Sequence, residues 1–183
     1  MMPFSRQISL TRALTLGQWD KIVLMLTATC CLPLFLHALP FSWAETLGPR
    51  WLPIFYAPLI AGLCFRPHVT IVVSLLAPLI NHFFFGMPTA QVLPVLTWEL
   101  VLFNAILVVV KARMQVKSWQ VVPAFLAAVF SALLFPAHLT MQQVLGQFAL
   151  SIRMSAPGIL VLVLITEVIN HLQKRWGHEE DSL

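Results

Sequence analysis

The side chain in this sequence with the greatest capacity for chemistry is Glu99, set among apolar neighbours in Leu96-Thr97-Trp98-Glu99-Leu100. A carboxylate inside an apolar run of membrane length is costly, and it persists there with a cationic partner, a polar ligand or a proton. The preceding apolar run carries Ser74, Pro78, Asn81 and His82 on one helical face, at steps of three and four residues. Pro78 has no amide proton and so frees the carbonyl of Ser74 as an acceptor. An asparagine both donates and accepts, which suits a heteroaromatic or amide-bearing ligand. His37, His138 and Arg153 fall near the same level of their own segments. Arg153 has the charge to offset Glu99 or to hold a ligand carboxylate, and Trp98 has a flat face to stack on a ring. The expected binding set is therefore Asn81, His82, Trp98, Glu99, His138 and Arg153. A purely structural account instead makes Asn81 and His82 hydrogen-bonding glue between helices and the rest ordinary interfacial residues. Thr97 and Asn104 share a face about 160° from Glu99 on an ideal helix, which assigns Asn104 to packing and Glu99 to a cavity.

Other chemistries lack their residues. There is no HExxH, GxSxG or Walker pattern, so neither ATP hydrolysis nor a catalytic residue is expected. The remaining catalytic alternative is a small membrane enzyme using Glu99 and a histidine as acid and base. His82, His138 and Glu99 come from three segments without ligand spacing, so no metal and no cofactor is expected. Cys30 and Cys31 are adjacent and point about 100° apart on a helix, which disfavours a bond between them. With Cys64 they read as small apolar packing residues.

The chain that positions these side chains has 183 residues, 59% of them hydrophobic and 10% charged, with a mean hydropathy of +0.86. A soluble domain carries roughly 25% charged residues. This chain has too few to cover a water-facing surface, so the bilayer is the expected solvent. At about 20 apolar residues per crossing, the pattern reads as an all-α bundle of six transmembrane helices. The expected spans are Ile22–Leu39, Trp51–Phe65, Val69–Phe85, Val92–Val110, Ser118–Phe135 and Met154–Leu172. Trp43 and Trp51 would anchor the loop Pro40–Arg50 at the interface, and Pro136–Ile152 reads as a loop, an interfacial helix or a re-entrant segment. Met1–Lys21 is too interrupted by polar residues for a signal peptide, and Ser9–Trp19 within it reads as an amphipathic helix on the inner face. The organisation is then a cytoplasmic segment 1–21, a membrane domain 22–172 and a charged cytoplasmic tail 173–183. Ala57 with Ala61, and Ala124 with Ala128 and Ala132, mark close helix approach.

The isoelectric point is 9.4, but the basic residues form short clusters between apolar runs rather than a stripe, which excludes nucleic acid as a partner. With the N-terminus placed inside, Arg6, Arg12, Lys21, Arg66, Lys111, Arg113, Lys117, Lys174 and Arg175 fall on the inner side, and Arg50 and Arg153 on the outer. Nine against two makes both termini cytoplasmic by the positive-inside rule. This orientation puts Asn81, His82 and Glu99 in the outer half of the bilayer, with Glu99 roughly 10 Å deep at 1.5 Å per residue.

Several short stretches resemble the substrate-binding S components of energy-coupling-factor (ECF) vitamin transporters. They are Pro58-Leu59-Ile60-Ala61-Gly62-Leu63, Ser74-Leu75-Leu76-Ala77-Pro78-Leu79, Gly86-Met87-Pro88, Trp98-Glu99-Leu100 and Ala156-Pro157-Gly158-Ile159-Leu160. The resemblance implies a bacterial inner-membrane protein that binds a vitamin or related micronutrient near the outer face. A membrane T subunit and two cytoplasmic ABC ATPases would supply the energy, and the pocket would involve Asn81, His82, Trp98 and Glu99. Where the family commonly carries Ala-x-x-x-Ala in its first span, this chain has Ala28 and Leu32. The alternative to this reading, besides the small enzyme, is a non-catalytic structural or regulatory membrane subunit.

Overall fold

The computed structural model describes residues 17–38, 50–134 and 140–180, with side chains placed for all of these except 33, 34, 36–38 and 176–180. The regular elements among them are all helical. In chain order they are α1 (Gln18–Ala38), α2 (Pro53–Cys64), α3 (Pro67–Phe85), α4 (Leu93–Arg113), a 3-10 turn (Ser118–Gln120), α5 (Val121–Leu133) and α6 (Met141–Glu180). Three of them, α3, α4 and α6, are long and apolar enough to cross a membrane, with mean hydropathies of 1.7, 2.2 and 2.1 over their most apolar stretches. That length and composition mark a membrane protein. The expected amphipathic segment Ser9–Trp19 and the loop Pro40–Arg50 lie almost wholly outside the described residues, as do His138 and the His37 side chain.

Prolines set several helix starts. Pro53, Pro67 and Pro94 occupy the first turn of α2, α3 and α4, where their missing amide proton would have had no helical partner. Gly86 ends α3 in the left-handed region at φ 68°, which only glycine adopts freely.

Helix α2 has 12 residues, about 18 Å, too short to cross a bilayer alone. It is nevertheless the centre of the molecule, packing against α1, α3, α4 and α6, while α4 lies between α3 and α5. Phe55 of α2 meets Phe103 of α4 and Phe125 of α5 edge to face, at 5.6 and 5.4 Å between centroids. Leu59, Leu100, Leu107 and Leu162 extend this core. On the opposite side of α2, Ala57 and Ala61 let Ile22, Met25, Val69 and Val73 close in.

The last carbonyls of this short helix have no partner within it and are met by side chains of other helices. At the carbonyl end the Lys111 ammonium donates to the carbonyls of Gly62 and Phe65, each at 3.0 Å, and Gln173 donates to that of Leu63 at 3.4 Å. At the amide end the Tyr56 hydroxyl donates to the carbonyl of Trp51. Leu52 there takes φ 53°, a left-handed conformation that is strained for a branched side chain.

Of the stretch 136–152, left open between loop, interfacial helix and re-entrant segment, the structure describes residues 140–152. From Met141 it is helix, continuous with the last expected span, so that α6 begins 13 residues before Met154 and runs 40 residues to Glu180. Its start is built by a reciprocal cap. The Gln143 amide donates to the Thr140 hydroxyl (3.3 Å), and the Thr140 amide donates to the Gln143 side-chain oxygen (2.9 Å). The glutamines that make the stretch look loop-like, Gln142, Gln143 and Gln147, lie exposed on the helix surface. Residues 173–180 of the charged C-terminal segment continue the same helix.

Candidate functional site

Glu99 lies on α4 six residues past Leu93, about 9 Å along the axis from the helix start. It is partly buried, and no described residue hydrogen-bonds or ion-pairs with it. One turn further on, Phe103 is fully buried against Phe125 of α5, which puts Glu99 on the α5-facing side of α4. The neighbouring Trp98 is half-exposed and donates its indole N–H to the Ser131 hydroxyl of α5 at 3.0 Å, and Ser131 donates in turn to the carbonyl of Ala128. Alanines 128 and 132 are buried on the same helix. One hydrogen-bonded chain, from Trp98 through Ser131 to Ala128, thus fixes the indole adjacent to Glu99.

Asn81 and His82 turn to other partners. Asn81 is buried and donates to the carbonyl of Ala77 in its own helix (2.9 Å) and to that of Thr29 in α1 (3.5 Å). His82 contacts the Pro88 carbonyl through Nδ1 at 2.6 Å. A carbonyl only accepts, so Nδ1 carries the proton, and Nε2 of a neutral ring keeps its lone pair. Arg153 is exposed on α6, about 160° around the helix from buried Ser155, and makes no ion pair among the described residues. Of the expected binding set, Trp98 and Glu99 are adjacent by sequence. No hydrogen bond or ion pair among the described residues joins Glu99 to Asn81, His82 or Arg153. Among the described residues no three His, Cys, Asp or Glu side chains gather as a metal site would require.

Two surface depressions stand out. A groove of about 490 Å³ between α3 and α4 is lined by Leu75, Leu79, Leu93, Pro94, Thr97, Trp98 and Val101. The second, about 300 Å³, lies over Leu102, Ala105, Ile106, Val109 and Val110 on α4. Glu99 lines neither. In the first, the Thr97 hydroxyl is already committed to the carbonyl of Leu93, so the walls present hydrocarbon.

Asn104 is fully buried, with Nδ2 bound to the carbonyl of Leu100 and Oδ1 without a hydrogen-bond donor. That oxygen faces Gly62, where an added Cβ would come within 3.0 Å of it. Two residues gain roles that their types alone did not announce. Lys111, counted in the sequence only as an inner charge, binds the carbonyl end of α2, and Ser131 holds Trp98. The signal for Lys111 was its position directly after Val108-Val109-Val110 at the end of an apolar run.

No protein family, curated protein or solved structure matches the chain.

Proposed function

We propose that this chain is a six-helix membrane subunit of the bacterial inner membrane, with both termini cytoplasmic, that binds a small vitamin-like nutrient in its outer half. On this reading it catalyses nothing itself, and separate T and ABC ATPase subunits energise uptake. The observation that carries the reading is Glu99, a partly buried carboxylate with no described partner on a helix long and apolar enough to cross a membrane. A ligand that brings its own donor or cation accounts for such a residue. The resemblance to S components supports the same assignment. So does the collection of Lys21, Arg66, Lys111, Arg113, Lys117, Lys174 and Arg175 toward one end of the bundle, brought there by contacts such as Lys111 to Gly62 and Asn170 to Val116.

The test is native mass spectrometry of the purified protein for a retained small molecule, followed by binding of that compound, or of a vitamin panel, to wild type and Glu99→Gln. Wild type is expected to bind, and the variant to bind at least about tenfold more weakly, as loss of a charged hydrogen-bond partner implies. A wild type that binds nothing on the panel overturns the proposal.

A second reading, a non-catalytic structural or regulatory subunit, draws on Asn81 and His82. Asn81 and Nδ1 of His82 are engaged by backbone carbonyls, and the groove between α3 and α4 is apolar. Equal ligand binding by wild type and Glu99→Gln, or none by either, favours it.

A further inference from the structure

The short loop after α4 and the last turns of α6 are far apart in sequence but meet in the fold. Asn170 donates to the carbonyl of Val116 at 2.9 Å, and the Ser118 hydroxyl donates to the Glu167 carboxylate at 2.6 Å. Lys174 is one helical turn beyond Asn170, Lys117 directly follows Val116 and Arg113 lies three residues before it, so the contact between Asn170 and Val116 gathers these three residues at one end of the fold. All three are exposed, and none forms an ion pair among the described residues. The Glu167 carboxylate on the same part of α6 accepts from Ser118. Trp119 and Met114 interrupt this basic surface and are 61% and 54% exposed. An exposed indole and thioether beside three unpaired cations do not suit a surface bathed only in water. They suit the boundary where acyl chains give way to charged headgroups.

We propose that Arg113, Lys117 and Lys174, flanked by Trp119 and Met114, form a docking surface for anionic phospholipid headgroups. The cations meet the phosphate, and the two apolar side chains enter the adjoining acyl region. The choice of lipid over an acidic protein rests on those apolar neighbours, because a charge-only protein contact gives Trp119 and Met114 nothing to bury. The inference depends on the chain lying in a membrane and not on its binding a nutrient, so failure of the nutrient reading leaves it standing.

The experiment reconstitutes the full chain in nanodiscs of equimolar phosphatidylglycerol and phosphatidylcholine, then counts retained lipids by native mass spectrometry. Wild type is expected to retain phosphatidylglycerol preferentially. The triple variant Arg113→Gln/Lys117→Gln/Lys174→Gln is expected to reduce that preference by at least about tenfold, given the weight of each basic side chain at a charged leaflet. Arg50→Gln/Arg153→Gln, which removes charge near the other end of the bundle, is expected to keep it. Helix content measured by circular dichroism shows whether each variant is folded, and Lys117→Gln alone, with an intermediate loss expected, serves if the triple variant is not. No preference in wild type, or equal loss in both multiple variants, overturns the proposal. Capture of an acidic protein without lipid preference also overturns it.

Discussion

At the carbonyl end of α2, Lys111 from α4 and Gln173 from α6 reach in and bind three backbone oxygens. At the amide end the neighbouring helix contributes shape instead. Gly158 of α6 lies so close that an added Cβ would stand 2.8 Å from the carbonyl carbon and oxygen of Trp51 and from Cγ of Leu52. One end is tied by polar contacts that tolerate some movement, and the other by close approach against a strained backbone at Leu52. The end held by charge is also the one where the basic residues gather. The end held by shape is nearer the level of Glu99, where α4 begins. The contrast separates an end anchored by polar contacts from one near which the Glu99 carboxylate has no described partner.

The contrast breaks most readily at Gly158. Substituting valine there sets two methyl groups against backbone atoms that cannot turn aside, and Gly158→Val is expected to cost about 3 kcal/mol, the upper range for overpacking. Thermal unfolding in detergent, followed by circular dichroism, checks it. Gly146 on the same helix has nothing within 4 Å of its added Cβ. Gly146→Ala is therefore expected to be neutral or stabilising by up to about 1 kcal/mol. Similar behaviour at the two glycines would remove close approach as the holding device.

At the other end, Lys111→Met removes the ammonium from Gly62 and Phe65 and keeps most of the stem's packing. The loss of two charge-assisted hydrogen bonds is expected to cost about 2 kcal/mol, with Lys111→Arg recovering part of it. An unchanged unfolding midpoint in Lys111→Met would mean that the carbonyl end is satisfied by other means.

How much of this was readable beforehand differs by residue. The helices α3 and α4 follow from hydropathy and from their proline starts, and their observed limits lie within a few residues of those expected. The extension of α6 was also written in the sequence, as Thr140-Met141-Gln142-Gln143, the spacing of a reciprocal cap. Polar composition masked it, because glutamines on an exposed helix surface and glutamines in a loop look alike without a partner to compare. The partners of Asn81 and Lys111 were not readable. Asn81 reaches the Thr29 carbonyl on α1 and Lys111 the Gly62 carbonyl on α2, and no side-chain pattern encodes which carbonyl of another helix a polar group meets.

A smaller effect is expected where α2 meets α4 between its two ends. Gly62→Ala would place Cβ 3.0 Å from Oδ1 of Asn104, which is the end of a side chain and has some freedom to turn. The expected cost is about 1 kcal/mol. In a double-mutant cycle with Asn104→Ala the two substitutions should be non-additive by at least about 0.5 kcal/mol, as contacting residues are. Strict additivity would show that the asparagine oxygen does not set the spacing of the helices.

The smallest stability change is expected at Glu99, and its smallness is what gives it value. A residue held by protein partners costs stability when it is altered, as at Lys111. Glu99 has no described partner, and its carboxylate faces the desolvation cost without the compensation of a bound cation. Glu99→Gln keeps the shape and removes the charge. It should leave the unfolding free energy within about 0.5 kcal/mol of wild type, or raise it slightly, in the same detergent assay that registers Gly158→Val and Lys111→Met. A residue that matters to a ligand and not to the fold then shows itself by weakened binding at unchanged stability. A loss above about 1 kcal/mol would place Glu99 among the structural groups with Lys111, and the contrast between the two ends would no longer hold.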